Sequence, residues 1–329
     1  MKLDALAKPL DRAYGPRFFV VATVPTAAVS LFLLVLIWAG APDAVRFSRA
    51  WETAAKLGIG EVVLLVLATA LAGTISMPLQ LPLLRLLEGY WPTRPRWFAR
   101  WAVRPVARVG IAFQKRRRGL VNVTAPAGRP ERQEAWVRLA WQRSRYPDQD
   151  YLLRPTAFGN ALAAAERRAG RQYGLDAVVV WPRLEPLLAE PVRAAVADRR
   201  MWLDASARLS ATSLLVTPAA LVLLWQSEWW RLLCLAPVLV AWLAYSAAVQ
   251  AAVAYGECVA AAFDLHRFDL LIALHLPLPA DRDAEYAQNR TLSTLLRQPV
   301  GRARQMRYEH PTVPLAWPGG PPPPGGSTP

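Results

Sequence analysis

The chain has only two cysteines, Cys234 and Cys258, and three histidines in 329 residues. A disulfide framework and a Cys-rich zinc site are therefore excluded. Charge is also scarce: 19% of residues are charged and 54% are hydrophobic, where a soluble domain carries about 25% charge. So apolar a chain is not disordered, and so sparsely charged a chain places part of itself in a membrane. No Walker loop, G-x-G-x-x-G, G-x-S-x-G or H-E-x-x-H motif occurs. No charge lies deep in any apolar run, the usual mark of proton relays and ion-coupled transport, and no inverted repeat is visible. Lysine is rare too, since nearly all cations are arginine. Beside abundant Ala, Leu and Pro this reads as high-GC coding, so arginine content alone does not signal phosphate recognition.

What is present is a set of four apolar runs, 18–40, 59–84, 209–225 and 232–255. A helix of about 20 such residues crosses the hydrocarbon core. The small residues Ala39, Gly40 and Ala41 resemble a leader-cleavage site, but the run before them exceeds an h-region of about 7–15 residues. The last two runs are separated only by 226–231, which forces an antiparallel hairpin. Every run carries proline, at Pro25, Pro78, Pro82, Pro218 and Pro237, and membrane helices tolerate such kinks as packing features.

Cations set the orientation. Lys2, Lys8, Arg12 and Arg17 precede the first run, and the ten from Arg85 to Arg118 follow the second. Positive-inside bias then predicts a multi-pass cell-membrane protein with both termini and residues 85–208 in the cytoplasm. Trp38, Trp51, Trp225, Trp229 and Trp230 are expected at the outer boundary, and Trp91, Trp97 and Trp101 at the inner one, where indoles sit in the headgroup layer.

Most of the excess charge of +15 lies in residues 85–210, with 24 Lys+Arg against 11 Asp+Glu. Arg96, Arg100, Arg104 and Arg108 recur at i, i+4, so a helix would line them along one face beside Trp97, Phe98 and Trp101. Pro105 is expected to split this helix in two. With Arg94 and the polybasic Lys115, Arg116, Arg117 and Arg118, the segment reads as an interfacial helix on the anionic inner leaflet. Each cation there contributes about 1 kcal/mol. Two rival readings are nucleic-acid binding, disfavoured because the patch directly follows a span, and a purely topogenic role for the charge.

Further on, 131–145 reads as an amphipathic helix, and Thr156 as the N-cap of a helix running to about Tyr173. The β-branched run 177–181 reads as an extended connector, because a lone strand makes no sheet. Two helices are expected to run on past the membrane, one from Pro191 into the third span and one from the fourth span to about His275. Both would form long inward stalks, with Val192, Val196 and Leu203 on one and Phe263, Leu270, Leu271 and Leu274 on the other at helical spacing. A helix over 281–297 and a Pro/Gly-rich disordered tail over 311–329 complete the chain. Glu257, Asp264, His266 and Asp269 do not share one helical face. No metal site is therefore expected, and Asp264 with Arg267 is expected to form an ordinary i, i+3 ion pair.

The fold class expected is thus an all-α integral membrane protein. It has a cytoplasmic tail over 1–17, two spans within 18–84, a basic cytoplasmic region over 85–208, a second hairpin over 209–255 and a helical C-terminal region over 256–310. No catalytic residues, metal ligands or cofactors are expected. The function expected is a membrane-anchored interaction or assembly platform that meets anionic lipid and a protein partner or a second copy of itself. An oligomeric channel is the alternative.

Overall fold

The computed structural model describes residues 16–43, 45–92, 94–119, 129–297 and 306–310. Most of the 1–17 tail and all of the 311–329 tail lie outside these residues. The described chain is all helical, with no strand among its residues. In chain order the helices are α1 (Pro16–Trp38), α2 (Phe47–Ala55), α3 (Ile59–Leu87), α4 (Arg96–Phe98), α5 (Arg104–Gly119) and α6 (Arg129–Arg145). After them come α7 (Ala157–Arg168), α8 (Ala177–Leu184), α9 (Glu190–Leu223), α10 (Leu235–Ala273) and α11 (Arg282–Arg297). A π turn, Ala99–Val103, joins α4 to α5. Two helical paths, Glu190–Leu223 and Trp229–Ala273, are long and apolar enough to cross a membrane by length and composition. The chain divides into two compact units, Met1–Arg167 with Glu190–Val259, and Arg168–Ala189 with Ala260–Pro329.

Local chemistry starts the helices where the sequence supplies an acceptor. Glu61 accepts from the Gly58 N–H at 3.0 Å and so caps α3. That gives the acid at the head of this apolar run a structural task. Thr156 accepts from the Gly159 N–H at 3.1 Å ahead of α7, Asp176 from Val178 at 3.1 Å ahead of α8, and Asp281 from Ala284 at 2.8 Å ahead of α11. Pro191 sits in the first turn of α9, where its missing N–H costs no hydrogen bond.

The first unit has two apolar clusters. One gathers Leu36, Ala39, Val45, Ala50, Ala220, Leu224 and Cys234, from the ends of α1 and α9, the start of α2 and the turn before α10. Ser227 donates to the Asp43 carbonyl at 3.2 Å beside it. The other gathers Phe158, Ala161, Leu203, Ala207, Ala248, Val249 and Ala252 from α7, α9 and α10. Alanines dominate its contact, which lets helices approach closely. Ser210 Oγ donates to the Ala241 carbonyl at 3.0 Å, crossing from α9 to α10.

The second unit packs α8, the end of α10 and α11 around Val180, Leu184, Phe263, Leu270, Leu271 and Leu292. Two glycines shape it. Gly170 (φ +70°) sits where a Cβ would lie 2.9 Å from the Phe263 ring. Gly174 (φ +78°) sits where a Cβ would lie 2.5 Å from the Tyr286 carbonyl oxygen. Asn289 donates to the Tyr173 carbonyl at 2.9 Å.

Several expectations are corrected. Residues 177–181 are not a connector but most of α8. Ala177, Val180 and Leu184 are buried at i, i+3 and i+7, so core burial overrides the β preference of the valines. The helix from Thr156 does not reach Tyr173. It ends at Arg168, because Gly170 turns left-handed before a 3₁₀ turn over Arg171–Tyr173. Between the first two apolar runs, where the sequence reading named no element, lies the short helix α2. Of the seven stalk residues at helical spacing, Val196, Leu203, Phe263, Leu270 and Leu271 are buried, and Val192 and Leu274 are half-buried.

Leu270 is 1% exposed, and replacing such a leucine even with alanine costs about 2–5 kcal/mol. Leu270→Asp is expected to open the second unit while membrane insertion is retained. Faster hydrogen exchange across α8 and α11, with an unchanged membrane fraction, is the result to look for.

Candidate functional site

The site assembles where α3 ends. Glu88 and Gly89 close that helix, and Gly89 takes φ +88°. Pro155 packs on it: a Cβ at Gly89 would lie 2.8 Å from the proline ring, and a Cβ at Gly110 of α5 would lie 2.9 Å from the Pro155 carbonyl oxygen. A Cβ at Gly159 in α7 would collide with the Glu88 carbonyl. Three glycines thus let α3, α5 and α7 meet around one proline. Asn160, fully buried, holds the residue before it. Its Oδ1 accepts from the Arg154 N–H at 2.7 Å, and its Nδ2 donates to the Arg154 carbonyl at 3.0 Å.

From this junction α4, the π turn and α5 extend with most of their length exposed. Trp97 (68% exposed) and Trp101 (78%) stand out, followed by Val106, Val109 and Phe113. The steps between these residues are four, five, three and four, and the step of five spans the π turn. An i→i+5 turn absorbs one extra residue, so the apolar row continues across it. Arg94, Arg96, Arg100, Arg104, Arg108, Arg116 and Arg117 are exposed as well. The arginine row does not stay straight: Arg96 precedes the π turn, Arg100 lies within it, and Arg104 and Arg108 follow it, so the regular i, i+4 spacing is interrupted there. Pro105 falls at the head of α5, where its ring is accommodated. The opposite flank of α5 faces inward through Gln114, which accepts from the Tyr146 hydroxyl at 3.4 Å.

The polybasic run divides by helical spacing. Lys115 pairs with Asp150 at 2.6 Å, and Arg118 pairs with the same carboxylate. Arg118 also donates to the Pro147 carbonyl at 3.2 Å. These two cations, expected on lipid, fasten α5 to the segment before α7. Arg116 and Arg117 stay outward, with the Arg117 guanidinium 5.7 Å from the Phe113 ring. Hydrogen bonds from Lys115 and then Arg118 hold the Asp150 carboxyl below the usual aspartate range.

Of the expected boundary tryptophans, Trp51, Trp97, Trp101, Trp225, Trp229 and Trp230 are exposed. Trp38 is half-buried against the first apolar cluster. Trp91 donates its indole N–H to the Leu86 carbonyl at 2.9 Å, finishing α3.

One feature escaped the sequence reading. Arg154 lies 3.9 Å from Glu88 and 3.3 Å from Glu166, and it stacks on the Tyr90 ring at 4.7 Å. These residues are far apart in sequence, and no spacing rule links them. Burial raises the carboxyl pKa of Glu88 and of Glu166, and Arg154 opposes this only in part.

In the second unit Asp264 does not pair with the Arg267 guanidinium through its carboxylate, as expected. It accepts instead from Gln172 at 3.0 Å and Tyr173 at 2.9 Å. Arg267 turns to Glu285 at 2.8 Å and stacks between Tyr173 and Phe268. His266 meets Asp269 at 2.7 Å. No group of three metal-ligating side chains forms among the described residues. A cleft of about 500 Å³ beside Arg267 is lined by Gln172, Tyr173, Phe268 and Glu285 of these contacts together with residues 279–282.

Compared with protein-family models, curated proteins and solved structures, the chain matches none.

The two kinds of carboxyl respond oppositely to acid. Glu88 and Glu166 have raised folded pKa values, so their ionisation costs the fold and stability is lost as pH rises through those values. Asp150 has a lowered value, and its stabilisation is lost as pH falls below the usual aspartate range. Lowering the pH toward the ordinary glutamate value of 4.5 is therefore expected to raise the Tm of the solubilised protein, with Glu88→Gln flattening that rise. Asp150→Asn should remove the loss seen at stronger acid.

Proposed function

We propose that the chain is a multi-pass cell-membrane protein that acts as an interaction or assembly platform. Four spans, 18–40, 59–84, 209–225 and 232–255, put both termini and the basic segment in the cytoplasm. The observation that carries the reading is the exposed face of 94–117. There Trp97, Trp101, Val106, Val109 and Phe113 lie among seven outward arginines, immediately after the second apolar helix. A stretch of chain from Gly89 to Pro130 has no carboxylate at all. Apolar rings dipping among headgroups, with cations against lipid phosphates, are what such a face does at an anionic leaflet. The lengths of α1 and α3, 23 and 29 residues, support spans one and two.

On this reading the membrane fixes the basic segment in place and the helices of both units present surfaces to a partner or a second copy. An oligomeric channel is the second reading. Its support is the exposure of Leu214, Leu215, Val222, Leu239, Trp242 and Leu243 on α9 and α10, apolar surface that either lipid or neighbouring subunits would cover.

Reporter fusions test the frame: a reporter at Pro329 should be active only on the cytoplasmic side and one at residue 50 only outside. An externally active reporter at Pro329 ends the four-span reading. The platform itself is tested with Arg96, Arg100, Arg104 and Arg108 all changed to Gln. The variant should remain in the membrane fraction while its solubilised complex loses apparent mass. An unchanged complex contradicts a role for this segment in assembly.

A further inference from the structure

The C-terminal end of α10 is closed by a histidine in a conformation that usually belongs to glycine. His275 has φ +55°. Its N–H donates to the Ile272 carbonyl, and the Leu276 N–H donates to the Leu271 carbonyl, both at 2.9 Å. These are the paired bonds of a left-handed helix stop. A side chain makes that conformation costly, so it persists where outside contacts favour it. Residues 306–310 supply them. The Glu309 N–H donates to the His275 carbonyl at 2.8 Å. The His310 ring faces the His275 ring, Nδ1 to Nδ1 at 2.8 Å, with the ring planes 75° apart. Tyr308 stacks on His310 at 6.4 Å.

Two imidazoles share such a bond only when one Nδ1 carries a proton and the other does not. Two neutral rings satisfy this, and so does one neutral ring beside one charged ring, with a stronger, charge-assisted bond. With both rings protonated, two donors and two positive charges face each other and no acceptor remains. Neither ring pairs with a carboxylate among the described residues. The charged and titratable neighbours are otherwise engaged or lie in the segment itself. Arg307, Tyr308 and Glu309 belong to the segment. On α10, His266 and Asp269 are bonded to each other at 2.7 Å. On the α11 side, Asp281 accepts from the Ala284 N–H, Glu285 is taken by Arg267, and the uncharged Gln288 donates to the Pro277 carbonyl.

We infer that His275 and His310 form an acid-released latch, which docks residues 306–310 on the end of α10 at neutral pH and lets them go when both imidazoles are protonated. The latched pair holds one proton fewer than the released pair does in acid, so falling pH favours release. His275 is half-buried and His310 exposed, so water reaches both rings. Imidazoles ordinarily titrate near pH 6.5, which puts the response between about pH 7 and 5. The latch lies wholly in the second unit and is independent of the lipid-facing reading of 94–117.

The test is amide hydrogen exchange of the full chain in detergent, read by mass spectrometry on peptides covering 306–310 and scaled to the unstructured-chain rate at each pH. Several-fold protection is expected at pH 7.5, and it should be lost at pH 5.0. The loss should persist in Glu309→Gln, whose side chain cannot titrate. His310→Gln should abolish the step, because no second charge can form, whether its segment is then protected at both pH values or at neither. A step that survives in His310→Gln belongs to another group, such as His266 with Asp269, and overturns the inference. Wild-type protection that is equal at pH 7.5 and 5.0 overturns it, as does a step that vanishes in Glu309→Gln. Loss of protection on adding EDTA at pH 7.5 would mean that a metal joins the rings, and the inference falls.

Discussion

The packing of Pro155 against two glycines is the constraint on which the first unit's exposed surface depends. A side chain at Gly89 or Gly110 would meet the proline, and one at Gly159 would meet the Glu88 carbonyl. Without these glycines α7 could not start against the end of α3, nor α5 pass so close. Proline adds a stiff φ and no donor of its own, so it fills the junction without asking for a hydrogen bond. Asn160 satisfies the Arg154 backbone beside it with both ends of its amide. This junction sets where α4 and α5, with their aromatic and basic residues, leave the end of the apolar helix that precedes them.

Charge in the first unit is sorted by what it touches. Asp150 pairs with Lys115 and Arg118, and Arg154 holds Glu88 and Glu166. The remaining arginines from Arg94 to Arg117 face outward with no acid in their stretch of chain. Surface ion pairs contribute little to stability, about 0–1 kcal/mol each. These pairs are therefore better understood as fixing which cations are engaged by the fold and which face outward. That division is what gives the proposed lipid-facing surface its composition.

Sequence patterns reached the helices but not their junctions. Helices cover the apolar runs, and Pro191 at a helix start and Thr156 as a cap are found where they were expected. Burial of Leu270, Leu271 and Phe263 followed from helical spacing alone. Misreadings came where long-range packing decides. The valines of α8 prefer strands in isolation, yet they are helical because one face is buried. The π turn was invisible because i→i+5 pairing has no residue signature, and it broke a row of arginines that spacing had drawn straight. Glu88, Arg154 and Glu166 come together across three separate segments, which no periodicity encodes. For the exposed site, residue types were legible and their partners were not: nothing near Lys115 in sequence points to Asp150.

The most direct test of the central proposal is lipid selectivity of the intact protein. The full chain, extracted with its native lipids, would be scored for phosphatidylglycerol retained relative to phosphatidylcholine across a salt series. Wild-type protein should retain the anionic lipid selectively, with selectivity falling as salt rises. Changing Arg96, Arg100, Arg104 and Arg108 to Gln should reduce it several-fold while leaving helical content unchanged. Unchanged selectivity in that variant, or none in the wild type, would contradict the account.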